Sequence, residues 1–369
     1  MYIHELADWP TFRWNKETIL EQLIPIRHQQ GLLIGKMKSL GFNLQQEAIL
    51  QTLTQDVVKS SEIEGELLDT SLVRSSIARR LGMDIAGLDK FDRNIEGVVE
   101  MILDATHNYN VPINKDRLFA WHSALFPTGR SGLSKITVGQ WRKGPMQVVS
   151  GHFGKENIHF EAPTPEKVDH EMDVFLNWLN DTLTIDPIIK AGISHLWFVT
   201  IHPFDDGNGR IGRAIIDYML AQSEQSSQRF YSLSAQIQQE RKAYYTILEQ
   251  TQKGDLEITV WLEWFINCLG RGIEKANSTL SAVLFKAQFW QAINKFQLNE
   301  RQKKIINLLL DGFEGKLTSL KFAKIAKCSQ DTAYRDILEL LNFGILIKNA
   351  AGGRSTSYSL QNLSSLSLE

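Results

Sequence analysis

His202-Pro203-Phe204-Asp205-Asp206-Gly207-Asn208-Gly209-Arg210-Ile211-Gly212-Arg213 joins two apolar helical patterns and concentrates most of the chemistry this sequence displays. Pro203 stops or kinks the helix expected over Pro187–Thr200. Gly207, Asn208 and Gly209 can turn successive amides into one concavity. A new helix is expected from about Arg210, and its N-terminus adds partial positive charge. Small residues feeding a helix N-terminus make an anion site, commonly for phosphate. Arg210 and Arg213, three apart, can face that anion from one side. Asp206 offers a hard oxygen ligand of the kind Mg²⁺ takes beside phosphate oxygens. His202 can accept a proton near neutral pH. These parts suit phosphoryl or nucleotidyl transfer, where positioning and charge stabilisation dominate.

Three other readings compete. Gly207 to Gly212 matches G-x-G-x-x-G by letter, but that fingerprint needs a preceding strand and a later acidic residue within a βαβ unit. Here a helix precedes it. Asp205 to Gly209 resembles the start of a calcium loop but lacks its acidic spacing and late glutamate. A plain interhelical turn explains the glycines, but not His202, Asp206, Arg210 and Arg213 together.

The twelve residues resemble the Fic family signature H-P-F-x-[D/E]-G-N-G-R-x-x-R at every specified position. The resemblance implies a helical Fic core and AMP transfer from ATP to a Tyr, Thr or Ser hydroxyl of a target protein, with pyrophosphate leaving. It implies His202 as the base, Phe204 as the loop's anchor and Asp206 as the Mg²⁺ ligand. Gly207, Asn208 and Gly209 would cradle the phosphates by their amides, and Arg210 and Arg213 would bind the outer phosphates. Some Fic relatives move other phosphate-containing groups, and the loop does not specify the base. A second family feature, [S/T]-x-x-x-E-[G/N], is matched by Ser60-Ser61-Glu62-Ile63-Glu64-Gly65. Ser60, Glu64 and Gly65 would then belong to an inhibitory helix, with Glu64 denying Arg213 to the nucleotide.

Outside these motifs the chain reads as mainly α-helical. Helices are expected over Thr18–Leu40, Gln45–Ile63, Asp69–Leu81, Lys90–His107, Glu166–Leu183, Pro187–Thr200, Ile211–Ser223 and Ala235–Thr251. Another runs from Leu256 to Leu269 and continues towards Phe296. Met146–Val149 and Ile158–Phe160 read as an isolated hairpin. Two strands alone are marginally stable, so they must pack on something, and a free edge can accept an extended peptide. By resemblance, Gln147 to Phe160 is the flap on which a target docks, and Val148, Val149, Ser150 and Gly151 border the nucleotide. Tyr244, in an Arg-x-x-Tyr-Tyr stretch, is the candidate beside the adenine, with Gln252 a weaker one. His195 reads as a core histidine.

Residues 298–369 follow the order of a winged helix-turn-helix. Arg335 lies on the expected recognition helix, Lys348 and Arg354 flank the wing, and Lys321, Lys324 and Lys327 add positive charge. Asp331, Asp336 and Glu339 share the recognition helix and oppose duplex DNA. The alternative function is therefore a DNA-binding regulator, or a protein-binding module, with the Fic core as nucleotide sensor. The expected domains are 1–105 with the inhibitory helix, 106–290 as catalytic core, and 298–369. A homodimer is expected from resemblance alone. Net charge is −2, with 40 Lys and Arg against 42 Asp and Glu, so no global field favours nucleic acid or membrane. Two cysteines make no disulfide framework and fit no zinc site. With no secretory signal and no apolar run of membrane length, a cytoplasmic protein is expected.

Overall fold

The computed structural model describes residues 1–83, 92–150, 157–181, 185–310, 313, 315–349 and 356–362, apart from the side chains of residues 42, 43, 150, 282 and 283. It is mainly helical and falls into two compact units, Met1–Ala276 and Asn277–Glu369.

The first unit opens with α1 (Lys16–Lys38), α2 (Phe42–Ile63), α3 (Thr70–Arg80) and α4 (Arg93–His107). It continues with α5 (Lys115–Leu125) and two short hairpins, β1 (Arg130–Ser131) with β2 (Ser134–Lys135) and β3 (Gln147–Ser150) with β4 (Asn157–Glu161). Then follow α6 (Pro165–Asn180), α7 (Pro187–Ile201), α8 (Asn208–Glu224), α9 (Leu233–Gln239) and α10 (Arg241–Gln252), and α11 (Thr259–Ala292) runs past the boundary between the units.

Capping residues set many of these starts. Asn15, Asp69, Asp92, Asn114, Asp186 and Ser232 each accept a bond from an amide of the helix they precede. A cap of this kind contributes about 1 kcal/mol. The core is built on α7, in which every residue from Ile188 to Ile201 is buried. A helix apolar all round must be covered on all sides. α8 packs along it and buries nearly its whole length, from Asn208 to Ala221. The loop between these two central helices is the signature stretch, so the fold holds it from both ends.

Two expectations need correction. Ala235–Thr251 is not one helix: the chain breaks at Glu240, which caps α9 and starts α10. No Gly or Pro marks the break; Glu240 is held there by Arg271, whose Nη2 lies 2.6 Å from its carboxylate. The stretch from Leu256 begins its helix only at Thr259, because the amides of Arg13 and Ile258 are tied across to Leu256 and Arg13 carbonyls at 2.8 Å. α5 lies outside the helices expected from the apolar periodicity. Among the described residues no helix is long and apolar enough to cross a membrane.

The second unit contains α12 (Glu300–Leu310), α13 (Ser319–Ala326), α14 (Gln330–Asn342), β5 (Leu346–Lys348) and β6 (Tyr358–Leu360). Leu317 bridges Tyr358 in the antiparallel sense, giving the β5–β6 ladder a third segment. Ile305, Phe322, Ile337, Leu340 and Leu346 meet in its core.

Gly97 tests the packing of the first unit. A Cβ there would stand 1.8 Å from the Ala124 carbonyl, because α4 and α5 touch backbone to backbone. Alanine normally favours a helix by about 1 kcal/mol over glycine. Here overpacking outweighs it, so Gly97→Ala should lower stability by about 1–3 kcal/mol in urea unfolding. An unchanged midpoint would refute the close contact.

Candidate active site

α7 ends on His202, which adopts the left-handed conformation (φ 51°, ψ 58°) while its amide still bonds the Phe198 carbonyl at 3.0 Å. A residue with a Cβ resists that conformation, so surrounding contacts must impose it. The buried Arg142 does so. Its Nε donates to His202 O at 2.8 Å, its amide to Pro203 O at 2.9 Å, and its Nη2 to Pro163 O at 2.5 Å. Phe204 is fully buried, stacked on His122 with centroids 4.2 Å apart and tilted against Trp141 at 5.0 Å. Asn208 closes the loop: its Oδ1 accepts from the Phe204 amide at 2.9 Å and its Nδ2 donates to the Phe204 carbonyl at 2.8 Å. His122 supports the loop from behind. Its Nδ1 accepts the Gly139 amide at 3.1 Å, so Nε2 carries the proton and donates to Asp206 O at 3.2 Å. Burial holds its pKa down at about 4.

The N-terminus of α8 follows at once. Gly207 has φ +80°, and a Cβ on it would meet Phe126 Cε2 at 2.8 Å, so glycine is required on both counts. The first helical bond runs from the Ile211 amide to Gly207 O at 3.0 Å. The amides of Asn208, Gly209 and Arg210 therefore have no acceptor within the helix. Beside Gly209 stands the carboxylate of Glu64. A Cβ on Gly209 would lie 2.0 Å from Glu64 Oε1, and that oxygen is 2.8 Å from Arg213 Nη2. Arg213, 1% exposed, also donates to Ser60 Oγ at 2.9 Å and Ser60 O at 2.8 Å. Arg210 lies over the Phe126 ring and pairs with Glu66 at 2.5 Å. Gly65, between the two glutamates, takes φ +85°, which reverses the chain after α2 and turns both carboxylates towards α8.

His202 and Asp206 border the same cavity, of about 900 Å³, with Glu64 and Gly209. His202 Nδ1 donates to Val199 O at 3.1 Å, which leaves Nε2 as the acceptor. Burial lowers the pKa of this imidazole, so it is neutral at pH 7. Asp206 Oδ1 accepts the Gly207 amide at 2.5 Å, and Oδ2 accepts the Ser131 hydroxyl. Among the described residues no three His, Cys, Asp or Glu side chains gather as a metal cage. One carboxylate facing an anion cradle fits Mg²⁺, which shares phosphate oxygens and water rather than needing an all-protein site. A proton acceptor, a hard ligand and the amide-bearing start of α8 on one cavity can activate a hydroxyl beside a phosphate.

A Fic/DOC family model matches residues 112–220, which include this loop. The chain carries a Fic domain. A model described as "Domain of unknown function (DUF4172)" matches residues 2–83, the segment that supplies Ser60, Glu64 and Glu66 to the Fic loop. The chain is 37% identical over 99 residues to Protein adenylyltransferase fic-1 of Caenorhabditis elegans, covering 26% of this chain and 18% of that one. It is 25% identical over 233 residues to Protein adenylyltransferase Fic of Nematostella vectensis, covering 62% of this chain and 49% of the relative. The chain thus matches half or less of the length of these curated relatives. Among solved structures, a Fic family protein from Desulfovibrio desulfuricans G20 superposes with a TM-score of 0.53 at 20% identity, over 92% of this chain and 96% of that one. A Fic domain containing signaling protein from Bacteroides thetaiotaomicron gives a TM-score of 0.52 at 18% identity, over 68% of this chain and 94% of that one. The structural likenesses show a shared fold.

Around the Fic loop the expected residues gather unevenly. Val148 and Val149 line the cavity; the Ser150 side chain and Gly151 lie outside the described residues. Tyr244 lines it too, but only 2% exposed and with its hydroxyl hydrogen-bonded to His195 Nε2 at 2.7 Å. Tyr245 is the tyrosine that reaches Glu64, donating to Oε2 at 3.3 Å. Gln252 also lines the cavity, buried and donating to Thr200 Oγ1. The Asn208 side chain is spent on the loop itself, so only its backbone can face an anion. Sequence reading missed Arg142, His122, Ser131 and Glu66. Only the fold brings the first three to the loop, while Glu66 was detectable as a second carboxylate one residue past Gly65.

His122 gives this site a pH signature. Its folded pKa lies below the ordinary value of 6.5, so its neutral form stabilises the fold above that value and this contribution is lost as pH falls towards about 4. The stability gap between the wild type and His122→Asn should therefore narrow between pH 6.5 and 4 in chemical denaturation. A gap constant with pH would contradict the assignment of a neutral His122.

Proposed function

We propose that this chain transfers AMP from ATP to a Tyr, Thr or Ser hydroxyl of a target protein, and that Glu64 holds the site off. The observation that carries the reading is the sharing of one cavity by a neutral His202, the Asp206 carboxylate and the Gly207-Asn208-Gly209 start of α8, with Arg213 behind it on Glu64. The relatives named protein adenylyltransferase support it at the level of the reaction.

In this reading the target hydroxyl attacks the α-phosphorus of ATP. A phosphorus–oxygen bond to the target forms, the bond from the α-phosphorus to the bridging oxygen breaks, and pyrophosphate leaves. The hydroxyl proton passes to His202 Nε2, the nitrogen left free by the Val199 contact. Gly207, Asn208 and Gly209 meet the phosphates with their amides, and Arg210 and Arg213 take the outer phosphates. Asp206 would hold Mg²⁺, which neutralises charge on the phosphate oxygens when bound. Val148, Val149, Ser150 and Gly151 would border the nucleotide, with Tyr244 on the adenine side. The target would add its backbone to the edge of the β3–β4 flap.

Inhibition follows from occupancy. Glu64 sits where a phosphate would meet Gly209 and Arg213, with Ser60 gripping the same arginine and Gly65 supplying the turn. Glu66 pairs with Arg210, so both arginines are engaged from one segment.

The test is mass spectrometry after incubation with ATP, Mg²⁺ and cell lysate. Glu64→Gly should raise AMP incorporation about tenfold or more, since a charge-assisted pair worth about 1.5–3 kcal/mol no longer competes. Glu66→Gln should raise it less, Arg210 being the more exposed pair. Adding His202→Ala should reduce the Glu64→Gly rate by roughly 10²–10⁴. The rate should fall on the acid side with a midpoint below 6.5, the direction burial gives His202. An adduct other than AMP, or equal incorporation with and without Glu64, would overturn the reading.

A further inference from the structure

Everything used so far lies within residues 1–276, and the second unit has its own electrostatics. The near-neutral chain is divided: residues 277–369 carry twelve Lys and Arg against seven Asp and Glu, a net of +5, whereas residues 1–276 carry 28 against 35, a net of −7. Charge asymmetry of this kind between parts of one chain points to a polyanionic partner for the basic part.

The acidic residues that argued against such a partner on α14 are partly withdrawn. Asp336 is buried, accepting from Arg301 Nε at 2.7 Å and Asn299 Nδ2 at 2.9 Å. Glu339 stays exposed and charged, accepting from the neutral Gln302 Nε2 at 2.7 Å. Asp331 remains, in the first turn of α14, where a carboxylate complements the helix's own positive end. The outward face of α14 then presents Tyr334, 49% exposed, together with exposed Arg335 and Leu338. α13 and α14 are joined by the three-residue turn 327–329, with Lys327 left-handed at φ 52°. Lys324, Lys327 and Lys348 are exposed. An α-helix with its side chains is about 10–12 Å across, and the major groove of B-DNA is about 12 Å wide.

We propose that the second unit is a winged helix-turn-helix that binds duplex DNA, with the exposed face of α14 in the major groove and Lys324, Lys327 and Lys348 on the phosphates. Arg335 and Tyr334 are the side chains offered to the base edges. Arg354, on the expected wing, lies outside the described residues and is not needed. This activity is separate from AMP transfer, and each can fail without the other.

The experiment is fluorescence anisotropy of a labelled mixed-sequence 24-base-pair duplex, a length of about two helical turns, with the full chain and no nucleotide. Saturable binding is expected at roughly 50 mM salt, weakening by about 100-fold at roughly 200 mM if four phosphates are contacted. The double variant Lys324→Ala/Lys327→Ala should weaken binding and lower the salt slope by about two, while Arg335→Ala should weaken it with a smaller change of slope. Lys303→Ala, whose side chain is paired with Glu300, should leave binding unchanged. Circular dichroism checks that the variants are folded. No binding at the lower salt, an unaltered affinity in the folded double variant, or equal binding to poly-glutamate of matched charge would overturn the proposal, the last marking an acidic protein as partner.

Discussion

The buried Arg213 at the start of α8 requires a negative partner, and Glu64 provides it beside Gly209. A helix N-terminus with unpaired amides and two guanidiniums, Arg210 and Arg213, is a concentration of positive charge that few arrangements of protein alone can leave unanswered. The segment matched as DUF4172 answers it from the end of α2. Much else is arranged to keep that meeting in register. Arg241 Nε reaches the Ile63 carbonyl at 2.7 Å, Gln238 donates to Glu62 at 2.8 Å, and Ser60 is gripped by Arg213. The terminus of α2 is thereby fixed to α8, α9 and α10 at once.

A buried polar group repeats the link deeper in the molecule. Asp56 lies two turns before Glu64 on α2, and Asp217 one turn after Arg213 on α8. Arg229 stands with both, its Nη2 3.3 Å from Asp217 Oδ1. Burial, followed by the neighbouring Asp56, pushes the Asp217 carboxyl well above the usual carboxylate range. Ser232 donates to Asp56 Oδ1 at 2.5 Å. Removing one member of such a group generally costs about 3–5 kcal/mol, because a charge is left buried without its partner. The two helices that carry the cradle and its plug are therefore joined at two levels, one facing the cavity and one in the core.

The legible parts of this protein were those whose meaning is local. The spacing from His202 to Arg213 depends on one loop, and its residues keep that spacing wherever the loop sits. The helices were legible where apolar residues recur at helical intervals. α5 carries such a pattern too, Leu118, Trp121, His122 and Leu125 after an Asn114 cap. The break at Glu240 had no local sign. Arg142 and His122 were invisible for another reason: each acts on the loop from at least sixty residues away in sequence, by bonding carbonyls that any residue could carry. The ion pair at Asp336 shows the same limit in the second unit. Counting charges on a helix cannot say which are turned inward and paired.

Gly65 has a consequence for how an anion would meet the cradle. Because the chain reverses on that single residue, two carboxylates face two guanidiniums and cancel their charge. A polyphosphate drifting past would feel little pull from those paired guanidiniums, since steering depends on net field and not on the number of bonds available at contact. Turning one short peptide segment aside would change that field by two charges in one movement. In the proposed reading, the segment would then set the rate at which the site is found as well as the strength with which it holds what arrives.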